Sequence, residues 1–209
     1  YSDALRIWIP LAKRGDAILQ FNVGWIYDQG KGIAEDDQEA VIWYELAADQ
    51  GDFDAMYRLV EMYGTGEEVP QNENEAVRIV AQILKRALSW QMDVIRDDAK
   101  AGQAIAQFIL AYGYAESAGA RSDYTSAMGW YTRAAKQGLS LAQYELGLLY
   151  RDGLGIEKDQ LEATHWFKNA AEQGHPHAEA VLGHRYLYGY GVTKDDKLAF
   201  EWSIKAAKK

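Results

Sequence analysis

An internal repeat of 36 residues constrains the fold of this chain more than any other feature of its sequence. Four residue types recur with this step in the second half of the chain: Tyr114, Tyr150 and Tyr186; Trp130, Trp166 and Trp202; Ala134, Ala170 and Ala206; Gly119, Gly155 and Gly191. The same step separates Tyr27 from Tyr63 near the N-terminus. A period of this length is typical of stacked supersecondary units, each of which buries its apolar face against its neighbours.

Each unit is predicted to be a pair of helices joined by a glycine turn. Apolar residues follow helical spacing over 140–151, and the chain then reaches Gly153 and Gly155. Glycine there provides the left-handed backbone that ends a helix. An Asp or Asn follows in every unit and is predicted to cap the second helix: Asp36, Asn72, Asp123, Asp159 and Asp195. The second helix carries Ala-x-x-Trp-aromatic-x-x-Ala-Ala, whose small residues let two helices approach closely.

The complete pattern is Ala-x-x-x-Leu-Gly-x-x-Tyr-x-x-Gly-x-Gly, followed by Asp-x-x-x-Ala-x-x-Trp-Tyr-x-x-Ala-Ala-x-x-Gly. It resembles the Sel1-like repeat, a relative of the tetratricopeptide repeat with a longer turn. The resemblance covers almost the whole chain. It implies an all-α fold, a right-handed α/α superhelical solenoid of helix-turn-helix repeats with a 36-residue period.

We predict a single solenoid domain over residues 1–209. Its segments are the second helix of a partial repeat (1–15), repeat 1 (16–51), a degenerate repeat 2 (52–88), a helical insertion (89–102), repeat 3 (103–138), repeat 4 (139–174) and repeat 5 (175–209). The array begins in the middle of a repeat and ends without a polar capping helix. Since terminal repeats expose an apolar face, either truncation of a longer protein or self-association through the ends would explain this.

The region after Tyr63 departs from the repeat pattern. The step from Tyr63 to Tyr114 is 51 residues instead of 36, although helical spacing continues beyond repeat 2. This predicts either one overlong second helix or a helix broken near Ser89-Trp90. The extra residues either pack on the outside of the solenoid or kink it and change its curvature.

Composition argues against several functional classes. The chain has a formal charge of −9 and a pI near 5.0, whereas nucleic-acid binding needs a basic surface. No apolar run approaches the ~18 residues of a spanning helix, so we expect no direct membrane insertion. The chain has no cysteine, which excludes disulfides and thiolate metal sites and fits the bacterial periplasm, cell envelope or cytoplasm equally.

The polar residues do not form a recognisable catalytic, cofactor or metal site. The Gly-x-Gly turns lie at helix ends and lack a following Gly-Lys-Ser/Thr, so they are not phosphate loops. Capping accounts for the recurrent aspartates. His177 and His184 are two helical turns apart, which is too far for both to bind one metal. We therefore predict that the chain is not an enzyme and carries no cofactor.

The resemblance places candidate partner-binding residues on the first helix of each repeat. In tetratricopeptide-like arrays this helix lines the concave groove, and alignment on the repeat leucine selects an aromatic-rich set with mixed charges. The set is Phe21, Trp25, Asp28, Tyr57, Arg58, Glu61, Phe108, Tyr112, Tyr144, Leu148, Arg151, His184 and Tyr188. The alternative is that individual aromatic residues of the set belong to the core between the helices of one repeat.

The resemblance also implies the class of function. We expect a bacterial scaffold or adaptor that holds another protein or a peptide in its groove. One alternative is a dedicated inhibitor or immunity protein that neutralises a basic partner enzyme. A second alternative is binding of a cell-wall fragment or small molecule, since a cysteine-rich branch of the family has been linked to β-lactams. This chain lacks the cysteine pairs of that branch.

Overall fold

The computed structural model describes residues 1–66, 68–116 and 123–208, with the backbone alone for Ser2, and twelve α-helices lie within those ranges. The chain forms two compact units, Tyr1–Met92 and Asp93–Lys209. No strand is present in the described ranges, so the predicted all-α repeat fold is confirmed. Gly119 of the predicted glycine series lies outside them.

Apart from α6, the helices alternate between second and first helices of successive repeats. In the first unit they are α1 (Ser2–Ala12), α2 (Ala17–Asp28), α3 (Asp37–Asp49), α4 (Phe53–Thr65) and α5 (Glu73–Arg86). The boundary between the units falls within α6 (Ser89–Ala101). In the second unit they are α7 (Ala104–Ala115), α8 (Tyr124–Lys136), α9 (Ser140–Asp152), α10 (Gln160–Glu172), α11 (Pro176–Tyr188) and α12 (Asp196–Ala207).

The predicted caps define where the second helices begin. Asp36 Oδ1 accepts a hydrogen bond from the Glu39 N–H at 3.0 Å, and so satisfies one of the amide groups that the first turn of α3 leaves without an intrahelical partner. The same bond is made at the other predicted positions: Asn72, Asp123, Asp159 and Asp195. The capping prediction is therefore confirmed in all five repeats.

Glycine is required for two different reasons. Gly191 in the turn after α11 has φ +66°, and a Cβ there would lie 1.9 Å from the carbonyl oxygen of Gln160. Gly147 lies inside α9, where a Cβ would come within 2.7 Å of the Phe167 ring on α10. The glycine of the Leu-Gly pair thus lets the aromatic residue of the second helix pack against the first helix, which ties the repeat motif to the core.

A recurrent glutamine pair links successive repeats. The buried Gln143 donates from Nε2 to the Ala135 carbonyl at 3.1 Å, and its Oε1 accepts from Gln173 Nε2 at 2.6 Å. Gln20 and Gln107 make the same two bonds in their own repeats. This pair was not predicted from the sequence, although Gln107 and Gln143 are themselves 36 residues apart.

The helical region after repeat 2 is broken, which decides between the two sequence predictions. Ala87 leaves the helical region with φ −58° and ψ 132°, between the end of α5 and the start of α6. Gln91 Oε1 then accepts the Leu88 N–H at 2.8 Å, so a side chain three positions along caps the new helix. The break therefore lies just before the predicted Ser89-Trp90.

Candidate partner-binding surface

The thirteen predicted residues all lie on first helices, namely α2, α4, α7, α9 and α11. Most of their side chains are partly buried, while His184 and Tyr188 are exposed and Asp28 and Phe108 are buried. Position on a first helix is therefore not sufficient for access to a partner.

Phe108 does not belong to an accessible surface. Its side chain is 0% exposed, with ring centroids 5.8 Å from Tyr131 and 6.2 Å from Tyr112. Residues 105–111 of α7 are all buried, as expected for a helix that is apolar on every side. Phe108 is a core residue, as the alternative reading of the aromatic residues allowed.

Three predicted residues of the first unit form one ion-pair network. Arg58 donates from Nε and Nη2 to the two carboxylate oxygens of Asp28, at 2.9 and 2.8 Å. Its Nη1 bonds Glu61 Oε2 at 2.7 Å, and Nη2 also bonds Glu68 Oε1 at 2.8 Å. The Tyr44 hydroxyl donates to Asp28 Oδ2 at 2.8 Å. We call these five residues the Arg58 cluster.

The Arg58 cluster satisfies its own buried charges. The Asp28 side chain is 2% exposed and that of Arg58 is 21% exposed. Burial raises the pKa of Asp28, but the hydrogen bonds from Arg58 and Tyr44 outweigh it and hold that pKa below its ordinary value. The same hydrogen bond to Asp28 raises the pKa of Arg58, since it also stabilises the charged form of the guanidinium. Asp28 therefore acts as an internal counterion, and the more exposed carboxylates of Glu61 and Glu68 are the groups that a partner can reach.

The other predicted aromatic residues of the first unit are packed at its surface. Phe21 lies 5.6 Å from the ring of Tyr44, and Trp25 lies 6.1 Å from the ring of Tyr1. Tyr57 lies 6.3 Å from Phe53 on its own helix. Because all three are partly buried, each contributes to the core and also offers an edge to solvent.

Tyr144 of the second unit is held between two rings. Its centroid lies 5.7 Å from Phe167 and 4.6 Å from His175, with which it stacks. His175 is buried and caps α11, where its Nδ1 accepts the Ala178 N–H at 3.2 Å. In the parts of the chain that the structure describes, no group of His, Asp and Glu side chains could hold a metal ion.

A partly buried acidic side chain that the sequence did not indicate, Glu145 on α9, lies near Glu116 at the end of α7. Burial and the neighbouring Glu116 raise the pKa of Glu145 to about 7. Burial, then the charges of Glu145 and other neighbours, also raise the pKa of Tyr131, whose hydroxyl is buried and has no hydrogen-bond partner among the described residues. Tyr112 of the predicted set belongs to the same group, since burial and Glu116 raise its pKa as well.

A cavity of about 560 Å³ in the second unit brings together two predicted residues, Arg151 and His184. Its full lining is Arg151, Asp152, Lys158, Gln160, Val181, His184, Arg185 and Tyr190. Tyr188 lies at its edge, with its ring 4.5 Å from His184 and stacked 5.8 Å from Tyr190. Leu148, on the same helix as Arg151, is partly buried. Arg185 was not among the predicted residues. The equivalent positions of the other repeats hold the apolar or small residues Ile26, Met62, Gly113 and Leu149, so the repeat pattern gives no role for a charge there.

In the described segments no helix is both long and apolar enough to cross a lipid bilayer. Five segments of the chain match the model of the Sel1 repeat: 17–52, 53–79, 104–139, 140–175 and 176–209. A search of curated protein sequences found no significant match.

Solved structures with the same repeat resemble the chain. A protective antigen of uropathogenic Escherichia coli with an SLR (Sel1-like repeat) fold is 28% identical, with a TM-score of 0.56 over 98% of this chain and 48% of that protein. The present chain thus spans about half the length of that relative. A Sel1 repeat protein from Oxalobacter formigenes is 29% identical, with a TM-score of 0.53 over 93% of this chain and 71% of that one.

An immunity protein from Pseudomonas aeruginosa is more distant, at 18% identity and a TM-score of 0.47 over 90% of this chain and 81% of that protein. A likeness at that level says nothing about what this chain binds. The five matched segments cover most of the sequence, and four of them each contain one complete pair of helices, while 53–79 contains α4 and the first half of α5. The chain therefore belongs to the Sel1 repeat family.

Proposed function

We propose that this chain is a non-catalytic scaffold that binds another protein through the first helices of its repeats. The observation that carries the proposal is the surface at the end of α11. Tyr188, which is 58% exposed, and Tyr190 stack on one another beside the charged cavity, and Leu187 is exposed next to them. Exposed aromatic side chains next to charged groups are typical of protein interfaces.

The tyrosine pair is suited to binding because contacts between rings restrain both side chains. The two rings are 24° from parallel, and His184 contacts both of them at 4.5 and 5.8 Å. A partner that packs on this platform therefore loses little side-chain entropy in the scaffold. An extended peptide or a single helix laid across the first helices is the mode of binding that such arrays favour.

The inhibitor alternative has one observation in its favour, which is the acidic surface of the first unit. Glu61 and Glu68 are both accessible at the edge of the Arg58 cluster, and the chain as a whole is acidic. A basic partner enzyme would be attracted to such a surface, and its association rate would fall steeply with salt. A scaffold that binds through the tyrosine platform would show a much weaker salt dependence.

Affinity capture from a bacterial lysate with three immobilised proteins tests the proposal. They are the parent, a Tyr188→Ser/Tyr190→Ser variant and a Phe200→Ser control, whose exposed ring lies on α12, a second helix. We expect a protein retained by the parent and the control but lost by the double variant. Calorimetry of that pair should show at least tenfold weaker binding, as for an interface hot spot. Equal retention by all three would contradict the proposal.

A further inference from the structure

Arg185 on α11 is a buried cation that neutral groups hold in place. Its side chain is 3% exposed and its Cζ lies 5.4 Å from the centre of the Phe167 ring. Nε donates to Thr164 Oγ1 at 2.5 Å, and Nη2 donates to the carbonyl and the Oε1 of Gln160 at 2.8 and 2.9 Å. Throughout the described part of the chain, no carboxylate forms an ion pair with this guanidinium.

A charge buried in this way is costly unless a counterion is supplied. Burial lowers the pKa of Arg185, and the nearby positive charge of Arg151 lowers it further. A shortage of carboxylates is not the reason, since the chain has 31 acidic residues against 22 basic ones. The missing counterion is therefore a local property of this site.

Arg185 lines the cavity and is not enclosed in a closed core. The cavity lining carries Arg151, Lys158 and Arg185 against Asp152, a formal charge of +2 with histidine neutral. Asp152 is engaged by Arg151, which bonds both of its oxygens at 2.8 and 2.6 Å. A cleft with one sign of charge concentrates the opposite sign from solution, although the protein as a whole is acidic.

Hydrogen-bonding capacity remains on the guanidinium. The bonds to Thr164 and Gln160 use Nε and Nη2, and no acceptor among the described residues bonds Nη1. Lys158 on the same wall is exposed. An oxyanion placed between the two would receive charge-assisted bonds from both cations, which are stronger than bonds between neutral groups.

We propose that this cavity binds the carboxylate of an aspartate or glutamate side chain of the partner protein, between Arg185 and Lys158. The inference rests on the proposed function, and it specifies the chemistry of the partner residue that enters the second unit. A carboxylate is favoured over a phosphate because the opening adjoins the exposed Tyr188 and Tyr190 rings, a surface suited to a protein partner, whose acidic side chains carry this group. His184 and Tyr190 border the same opening and contact the backbone of the bound residue.

A matched pair of substitutions at Val181 tests the site without removing Arg185. Val181 lines the cavity one helical turn before Arg185. Val181→Glu supplies an internal carboxylate at the favourable i, i+4 spacing, and Val181→Gln adds a side chain of the same shape without charge. The glutamate variant should melt at a higher temperature than the glutamine variant, since only the glutamate compensates the buried charge.

The binding probes are acetyl-Asp-Asp-Asp-amide, acetyl-Asn-Asn-Asn-amide and inorganic phosphate, titrated into purified protein. The Arg185 Nε–Hε resonance is followed by NMR. We expect the aspartate peptide to shift this resonance in the parent and in Val181→Gln, and to bind Val181→Glu at least tenfold more weakly. The asparagine peptide should cause no shift.

Three outcomes would overturn the inference. The first is that the aspartate peptide does not shift the Arg185 resonance in the parent. The second is that both Val181 variants melt and titrate alike. The third is that phosphate binds more tightly than the peptide, which would assign the site to a phosphate group. None of these outcomes depends on the capture experiment. If the Val181→Glu variant still binds a captured partner as the parent does, the carboxylate site is refuted while the scaffold function remains supported.

Discussion

Two arginines on first helices, one in each unit, show how differently this repeat uses the same side chain. Arg58 lies among three carboxylates, and its hydrogen bond to Asp28 raises its pKa. Arg185 is more deeply buried, has neutral acceptors alone among the described residues, and its pKa is lowered by burial. Burial by itself therefore does not determine what a charged residue does. The groups that the neighbouring helix supplies decide it.

The two arginines differ in whether the fold itself supplies a counterion. Arg58 joins α4 to α2, and its charge is neutralised within the fold. Arg185 joins α11 to α10 through Gln160 and Thr164 while its charge remains available to a ligand. The first arrangement stabilises the repeat, whereas the second holds a cation ready at a cost in stability.

Arg58→Met should have the largest effect of the substitutions considered. It leaves the buried carboxylate of Asp28 without its counterion, and breaking a buried pair in this way costs about 3–5 kcal/mol. The measurement is the free energy of unfolding from urea denaturation, with Arg78→Met as the control because Arg78 pairs with Glu75 at an exposed site. Similar losses in the two variants would show that Asp28 does not need Arg58.

Glu145→Gln should stabilise the protein, and by more at high pH. Glu145 occupies in repeat 4 the position that Arg58 has in repeat 2, five residues before Tyr150 and Tyr63 respectively. Its pKa is raised to about 7 in the folded chain, whereas an unfolded glutamate titrates near pH 4.3. Ionisation therefore disfavours the folded state, so stability is lost as the pH rises from the unfolded pKa through about 7.

For Glu145→Gln we expect a gain of about 1–3 kcal/mol at pH 8, which shrinks as the pH falls toward 5 because the native carboxyl is then protonated. Thermal or urea unfolding at several pH values measures it. The exposed Glu157→Gln is the control, and it should stay within about 0.5 kcal/mol of the parent. A gain that does not change with pH would mean that the fold does not disfavour the ionised form of Glu145.

Arg185→Met should cost less than Arg58→Met, which tests the comparison directly. The hydrogen-bond partners that it leaves behind are the neutral Thr164 and Gln160, so we expect a loss of about 1–2 kcal/mol. Urea denaturation of both variants under one set of conditions provides the measurement. If Arg185→Met lowers the free energy of unfolding as much as Arg58→Met does, a compensating negative charge must lie near Arg185. The proposed anion site would then have no basis.

Gln173→Ala should have the smallest effect. It removes one side-chain hydrogen bond to Gln143, which keeps its bond to the Ala135 carbonyl, so the expected loss is about 0.5–1.5 kcal/mol. Gln137→Ala in the preceding repeat removes the equivalent bond and should cost a similar amount. A large difference between the two would show that the repeats do not share this link.

Local rules account for what could be predicted. The helix pairs and the Asp and Asn caps depend on residues a few positions apart and recur in every repeat, so five copies reinforce one interpretation, and the Gly-x-Gly turn recurs in repeats 1, 4 and 5. The break before α6 was only partly predictable. The apolar spacing continues through it, and the Gln91 cap that starts the new helix carries no repeated signal.

The candidate site was less predictable because it depends on contacts between repeats. Arg58 reaches a residue 30 positions away, and Arg185 reaches Gln160 and Thr164 more than 20 positions away. A residue's place on a first helix did not reveal its burial either, since Phe108 is enclosed while Tyr188 is exposed. Positions that differ between repeats are therefore the ones that a repeat alignment cannot interpret.

The sequence by itself determined the repeat, the helices and the ends of most of them, because helix capping and glycine turns act over a few residues of chain. The tertiary structure alone decided which charges are neutralised and which remain available. That outcome depends on the side chains that neighbouring helices bring within about 3 Å of one another, where hydrogen bonds and ion pairs form. The 36-residue period predicts where the helices are. The contacts of a residue that departs from the period, such as Arg185, are seen only in the tertiary structure.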